Sequence, residues 1–315
     1  MKNLIRMICV AAMVSATSVA VAGYPEKPVK IIVPAKPGGA LDMVTRLIAK
    51  QLENKLGVPF PVVNVKGGAS AIGIRQAADA KGDGYTILSM HQQMLVVGAS
   101  GLLGFNPLEK FDGVAQTGLM ENYLVTYKGA PFSNISELKA YAAAHPGEIK
   151  AGVNIGGLGH LVMVQIADGL GADFNYVNVP GGGAAKLKSL LGKFTHVGIL
   201  GKGKFAGREE LVPLSVLADK RSAAQPNVAS AGEDNYPARF QLAFWWMMSK
   251  DVPADAKSVI EKAIGEIMAE KAMQKDFIDR GIDDPLHMNA NETTAALNDQ
   301  MAKYKAAVSA ISATK

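Results

Sequence analysis

The parts of this chain best suited to chemistry are backbone groups rather than reactive side chains. Glycines gather in four segments, Lys36-Pro37-Gly38-Gly39-Ala40, Gly67-Gly68-Ala69-Ser70, Gly156-Gly157-Leu158-Gly159 and Pro180-Gly181-Gly182-Gly183, each placed between an apolar run and a helical pattern. The first N–H groups of a helix lack an intrahelical acceptor and carry the positive end of its dipole, and glycine lets an anion approach them closely. One such loop is an ordinary strand-to-helix turn. Four of them, two in each half of the chain, can grip a two-ended anion without an arginine.

Contiguous catalytic motifs are missing. Residues 67–73 lack the G-x-G-x-x-G spacing of a dinucleotide loop, and Gly192-Lys193-Phe194 fails the G-K-[ST] ending of a phosphate loop. Ser70 and Ser100 lie near glycines but outside a G-x-S-x-G elbow. His91, His145, His160, His196 and His287 show no paired metal-ligand spacing. The expectation is no metal and no cofactor, while a triad or metal site assembled from distant residues is left open.

The elements that would position these loops alternate. Residues 29–33 form a β-branched run, and a helix follows over about 40–56. Leu41, Val44, Ile48 and Leu52 share one face, Asp42, Arg46 and Lys50 the opposite one, and Gly57 with Pro59 stops it. Strands over 61–65, 85–89, 149–154 and 174–179 and helices over 71–80, 160–170 and 184–191 repeat the order, which predicts largely parallel sheets covered by helices. Pro253 opens a later helix, and Leu297, Met301, Tyr304 and Val308 mark a last one, both expected to pack as a cover.

Residues 1–22 read as an export signal: Lys2 and Arg6, an apolar stretch over about 8–21, and a small-x-small ending at Ala20-Val21-Ala22. The alternative, a membrane anchor, needs about 20 apolar residues, and Ser15, Thr17 and Ser18 dilute the segment. Cys9, the single cysteine, lies inside that signal, so the exported chain has no thiol chemistry and no disulfide. What remains exceeds one average hydrophobic core and favours two lobes. The formal charge of +5 includes Lys2 and Arg6, and no basic run exists, which excludes a nucleic-acid footprint.

In their order along the chain, several stretches resemble the substrate-binding proteins of tripartite tricarboxylate transporters, the TctC or Bug family. They are Tyr24-Pro25-Glu26-Lys27-Pro28, the run from Val33-Pro34-Ala35 to Leu41-Asp42, residues 64–73, Asp83-Gly84-Tyr85-Thr86, Ser136-Glu137-Leu138, Pro146-Gly147 and His160-Leu161. The resemblance implies an α/β, two-lobe periplasmic binding protein of the Venus-flytrap, type II-like kind, with mainly parallel sheets flanked by helices and no enzymatic activity. Lobe 1 would span 24–124 plus 246–315 and lobe 2 125–245, with the ligand cleft between them. The expected ligand is a small organic carboxylate and the expected partner an integral membrane permease of the tripartite type; the protein is expected to be a periplasmic monomer. A sensor component presenting the solute to a receptor or kinase is the alternative, and an exported hydrolase ranks third.

By the same resemblance, residues 38–42 and 67–70 hold a ligand carboxylate through backbone groups and waters. The candidate ligand-binding residues are Lys36, Gly38, Gly39, Ala40, Asp42, Gly67, Gly68, Ala69, Ser70, His91, Gly156, Gly157, His160, Pro180, Gly181 and Gly182. A Cβ at Gly38, Gly39, Gly67 or Gly68 is expected to block the ligand or strain a positive-φ turn. Asp42 is read as a partner of Arg46 and of loop N–H groups rather than an anion-binding group. The family's usual aromatic and proline are replaced by Ala35 and Lys36, its Pro-Tyr by Pro180-Gly181, and a small hydroxyl residue by Gly157. Lys36 is thus either a cleft cation or a solvated loop lysine. His160 either meets ligand or caps its helix, and Trp245 and Trp246 are read as core near a hinge at Tyr123 and residues 244–246.

Overall fold

The computed structural model describes residues 23–313, so the expected export signal lies outside the described residues. Strand β1 (Lys30–Val33) buries Ile31, Ile32 and Val33 completely, as a strand covered on both faces requires. Helix α1 (Ala40–Leu56) follows and seats Leu41, Val44, Ile48 and Leu52 inward. It ends where Gly57, at φ 73°, donates its N–H to the Glu53 carbonyl. Strand β2 (Val62–Asn64), helix α2 (Ala71–Ala78) and strand β3 (Thr86–Met90) complete the first unit. Both strands run parallel to β1, Val62 and Ile87 lying opposite Ile31.

Helix α3 (Gln93–Ala99) and the short α4 (Pro107–Lys110), capped by Asn106, lead into β4 (Phe111–Tyr127). A second unit then repeats the first: α5 (Ile135–Ala144), β5 (Ile149–Val153), α6 (Leu158–Leu170), β6 (Phe174–Asn178), α7 (Gly182–Leu191), β7 (Val197–Gly201) and β8 (Leu211–Val216). Strand β5 is parallel to β6 and β7. The chain returns through β9 (Gln241–Ser249), antiparallel to β3 and β4, and ends in α8 (Ala254–Ala269), α9 (Lys271–Asp279) and α10 (Ala290–Ala313). α8 packs on α1 and β4, and α10 on α3 and β4, so these helices cover the first unit.

The two units share β4. Its residues Phe111 to Glu121 pair with β9, and Asn122 to Tyr127 pair with β7 and β8. Register shifts interrupt the β9 pairing after Gly113 and after Gln116. Beside the second shift Gly118 sits at φ 137°, and bridges from Gln116 to Met288 and from Leu119 to Asp284 fill the gap. By pairing, Asn122 to Leu124 go with the second unit and Gln241 to Trp245 with the first. Trp245 and Trp246 are fully buried core residues, and their indole N–H groups donate to Gln116 Oε1 at 2.7 Å and Thr117 Oγ1 at 2.9 Å.

Candidate functional site

Gly39, the residue before α1, is extended (φ −80°) and offers no side-chain cap. The N–H groups of Ala40 and Leu41 therefore have no acceptor among the described residues. The loop is held from below by Asp42. Its Oδ2 accepts the Gly38 N–H at 2.9 Å, its Oδ1 accepts from Asn64 Nδ2 at 2.9 Å, and Arg46 Nε lies 3.0 and 3.1 Å from the two oxygens. Asn64 also reaches the Ala35 carbonyl at 3.2 Å, which pins the loop to the end of β2. Burial alone would raise the pKa of Asp42. The hydrogen bonds from Arg46, Gly38 and Asn64, with the Arg46 charge, outweigh it and hold the carboxyl below its usual range. Although it lies on the face opposite Leu41, Val44 and Ile48, Asp42 is only 3 % exposed, because its partners reach around the helix to it.

The second loop winds left-handed through four consecutive residues, Gly67 (φ 124°), Gly68 (54°), Ala69 (52°) and Ser70 (84°). For Ala69 and Ser70 that conformation costs roughly 1–2 kcal/mol each, so neighbouring structure must impose it. Gln93 is the visible restraint, its Nε2 donating to the Ala69 carbonyl at 3.1 Å. Beside it, His91 Nδ1 accepts the Gln93 N–H at 3.2 Å, leaving Nε2–H as a donor. His91 keeps some surface exposure, yet the atoms packed around its ring desolvate it and push its pKa down to about 4.

From the second unit, α6 starts at Leu158 and α7 at Gly182, each two residues before the expected start and each preceded by a glycine without a side-chain cap. Gly156 (φ 74°) and Gly181 (φ 124°) make the turns. His160 sits in the first turn of α6, where its Nδ1 accepts the Gly156 N–H at 3.3 Å and its ring meets Tyr176 edge-on at 4.9 Å. The asparagine caps of α4 and α5 contrast with these bare starts.

Two contacts set the loops against each other. Gln93 Oε1 accepts the Leu158 N–H at 2.7 Å, so one carboxamide spans from the second loop to the N-terminus of α6. Lys36 reaches the start of α7: a methyl group built on Gly181 would lie 3.4 Å from its Nζ. Lys36 is exposed, with its Nζ directed at the opposing loop. On the second unit's own wall stands Lys186, 9 % exposed, with its Nζ 4.0 Å from a methyl group built on Gly159. Burial pushes its pKa below the ordinary lysine value.

Comparison with known proteins decides what this arrangement belongs to. The family profile described as tripartite tricarboxylate transporter family receptor matches residues 44–313. The chain belongs to that family. As a family receptor it is a periplasmic substrate-binding protein and not an enzyme. The receptor is 28 % identical over 320 residues to the protein BugT of Bordetella pertussis, covering 97 % of each chain. Its fold matches a Rhodopseudomonas palustris protein solved with adipate (TM-score 0.83, 21 % identity, 91 % of this chain and 97 % of that one). It also matches MatC from the same genus and species, solved with malate (TM-score 0.81, 19 % identity, 90 % of this chain and 100 % of the other).

In this receptor the structure brings together all four glycine loops and Lys36. Among the described residues no cluster of three metal-binding side chains occurs, and no helix is long and apolar enough to cross a membrane. Two surface hollows, of about 330 and 930 Å³, contain no residue of the four loops. Sequence reasoning missed Gln93, Asn64 and Lys186. Gln93 was detectable as one of two amides opening the apolar run Met94-Leu95-Val96-Val97. Lys186 was detectable as a lysine at helical spacing from Ser189 and Leu190, on the face that α7 buries. Gly39 is not at positive φ, and a methyl there would meet only the Lys36 carbonyl at 3.7 Å, so backbone strain is not its reason for being glycine.

Proposed function

We propose that this receptor captures a small organic carboxylate in the cleft between two lobes, about 24–121 with 241–313 and 122–240, and delivers it to the membrane permease of a tripartite tricarboxylate-type transporter. The observation that carries the reading is the opposition of uncapped helix N-termini across the cleft, α1 and α2 from one lobe and α6 and α7 from the other, held in register by Gln93. The first carboxylate takes the N–H groups at Gly39, Ala40, Gly68 and Ala69. Asp42 shapes that loop without touching the ligand, since both its oxygens are engaged. His91 offers an Nε2–H donor at the rim, and His160 stands in the first turn of α6. The adipate and malate bound to structural neighbours support the ligand class.

Thermal-shift screening against several hundred small acids tests it. A ligand at 100 times its dissociation constant adds about 2.7 kcal/mol of stability. Hits among carboxylates, with Gly39→Val folded but unresponsive to them, are the expected result. Absence of any carboxylate hit would overturn the ligand class, and full response in Gly39→Val would remove the first loop from the site.

A further inference from the structure

The most unusual group near the cleft is Lys186. It is 9 % exposed and, among the described residues, its ammonium has neither a hydrogen-bond acceptor nor an ion-pair partner. It stands beside Gly159, in the first turn of the thirteen-residue helix α6. The Gly159 N–H likewise has no acceptor there, whereas its neighbour Leu158 N–H is taken by Gln93. A buried cation placed against the positive end of a helix is unfavourable twice over, by desolvation and by the dipole. Folded proteins keep such a group where something negative arrives to neutralise it. Lys36 adds a second ammonium from the other lobe, beside Gly181 at the start of α7.

We infer that Lys186 and the free Gly159 N–H form a second anion subsite in the far lobe, with Lys36 closing over it, so that the receptor selects ligands carrying an oxyanion at both ends. This rests on the carboxylate reading above and narrows it: a monocarboxylate with a neutral tail fills the first subsite and leaves Lys186 buried without a counter-ion. Lys186 is then the specificity-determining side chain of the second lobe, and Lys36 an auxiliary cation nearer solvent.

The test compares wild type, Lys186→Met and Lys36→Met by calorimetry and thermal shift against dicarboxylates (malate, adipate), their half-amides, and inorganic sulfate and phosphate. Wild type should prefer each diacid over its half-amide by at least about 30-fold, and Lys186→Met should erase that preference while leaving half-amide affinity within about threefold. Lys36→Met should lose less than Lys186→Met. The unliganded Lys186→Met protein should melt at a higher temperature than wild type, because an unneutralised buried charge has been removed; a lysine with a purely structural task would give a lower one. Carboxylate binding with no diacid preference, or with the preference intact in Lys186→Met, would overturn the subsite and leave the proposed function standing. If no carboxylate binds, while sulfate or phosphate stabilises wild type but not Lys186→Met, the subsite stands and the carboxylate reading falls. No response to any of these anions overturns both.

Discussion

At the scale of single residues, the site carries two titrating groups whose shifts act in different pH windows. His91 has its pKa pushed down to about 4 by desolvation, so the unfolded chain binds the proton more readily than the folded one. Its neutral form contributes stability that is intact above the ordinary value of 6.5 and lost as pH falls from there toward about 4. Asp42 is also depressed, through its partners, and contributes stability that is present above its ordinary value of 3.8 and lost as pH falls below it. Melting temperature followed from pH 8 to 3 should therefore decline in two limbs. His91→Gln should flatten the upper limb by on the order of 2 kcal/mol, and Asp42→Asn should flatten the lower one. Asp42→Asn should also lower stability at neutral pH by about 1–3 kcal/mol, since Arg46 and the Gly38 N–H lose a charged acceptor. A pH profile unchanged in both variants would separate these residues from acid stability. The Asp42 and Arg46 pairing was legible from its i,i+4 spacing. The burial of Asp42 was not, because it depends on Asn64, which arrives from another strand.

At the scale of elements, the loops look alike in sequence and differ in backbone. Gly39 is extended, and a Cβ there would meet only the Lys36 carbonyl at 3.7 Å, so a side chain there leaves the fold intact. Gly67 lies at φ 124°, and a Cβ would sit 2.6 Å from Ile72 Cδ1. Gly39→Ala should change stability by less than about 0.5 kcal/mol, whereas Gly67→Ala should cost more than about 1 kcal/mol through strain and displacement of Ile72. Ala69→Gly should raise the melting temperature, by relieving a left-handed alanine worth about 1 kcal/mol. Chemical denaturation of the three variants decides between this ordering and one in which all loop positions respond alike. The strand–loop–helix order was legible because apolar periodicity switches at each loop, and α1 runs over the residues its pattern predicts. Individual φ values were not, since glycine permits either sign. Strand β4 was also hidden, because Gly113 and Gly118 break its alternation where the register shifts.

At the scale of the whole molecule, the question is what holds the lobes together before a ligand arrives. Near the hinge, β4 passes from one unit to the other between Glu121 and Asn122, and Lys202 of the second unit pairs with Asp283 of the returning chain at 2.7 Å. At the cleft mouth the hydrogen-bonded link is the Gln93 carboxamide, between the Ala69 carbonyl and the Leu158 N–H. Hydrogen bonds of this kind contribute about 0.5–1.5 kcal/mol each, enough to shift an open–closed equilibrium several-fold but too little to lock it. The apparent dissociation constant scales inversely with the fraction already closed, so Gln93→Ala should open the unliganded protein and weaken binding roughly three- to tenfold. Scattering should show a larger radius of gyration for unliganded Gln93→Ala than for wild type, and the same radius for both at ligand saturation. If Gln93 instead competes with the ligand for the Leu158 N–H, the variant will bind more tightly, and a rise in affinity would overturn its role as a latch. Because the amide is neutral and makes no hydrogen bond to Lys186, the Gln93→Ala loss should be equal for diacids and half-amides, which separates a shift in closure from a loss of anion recognition.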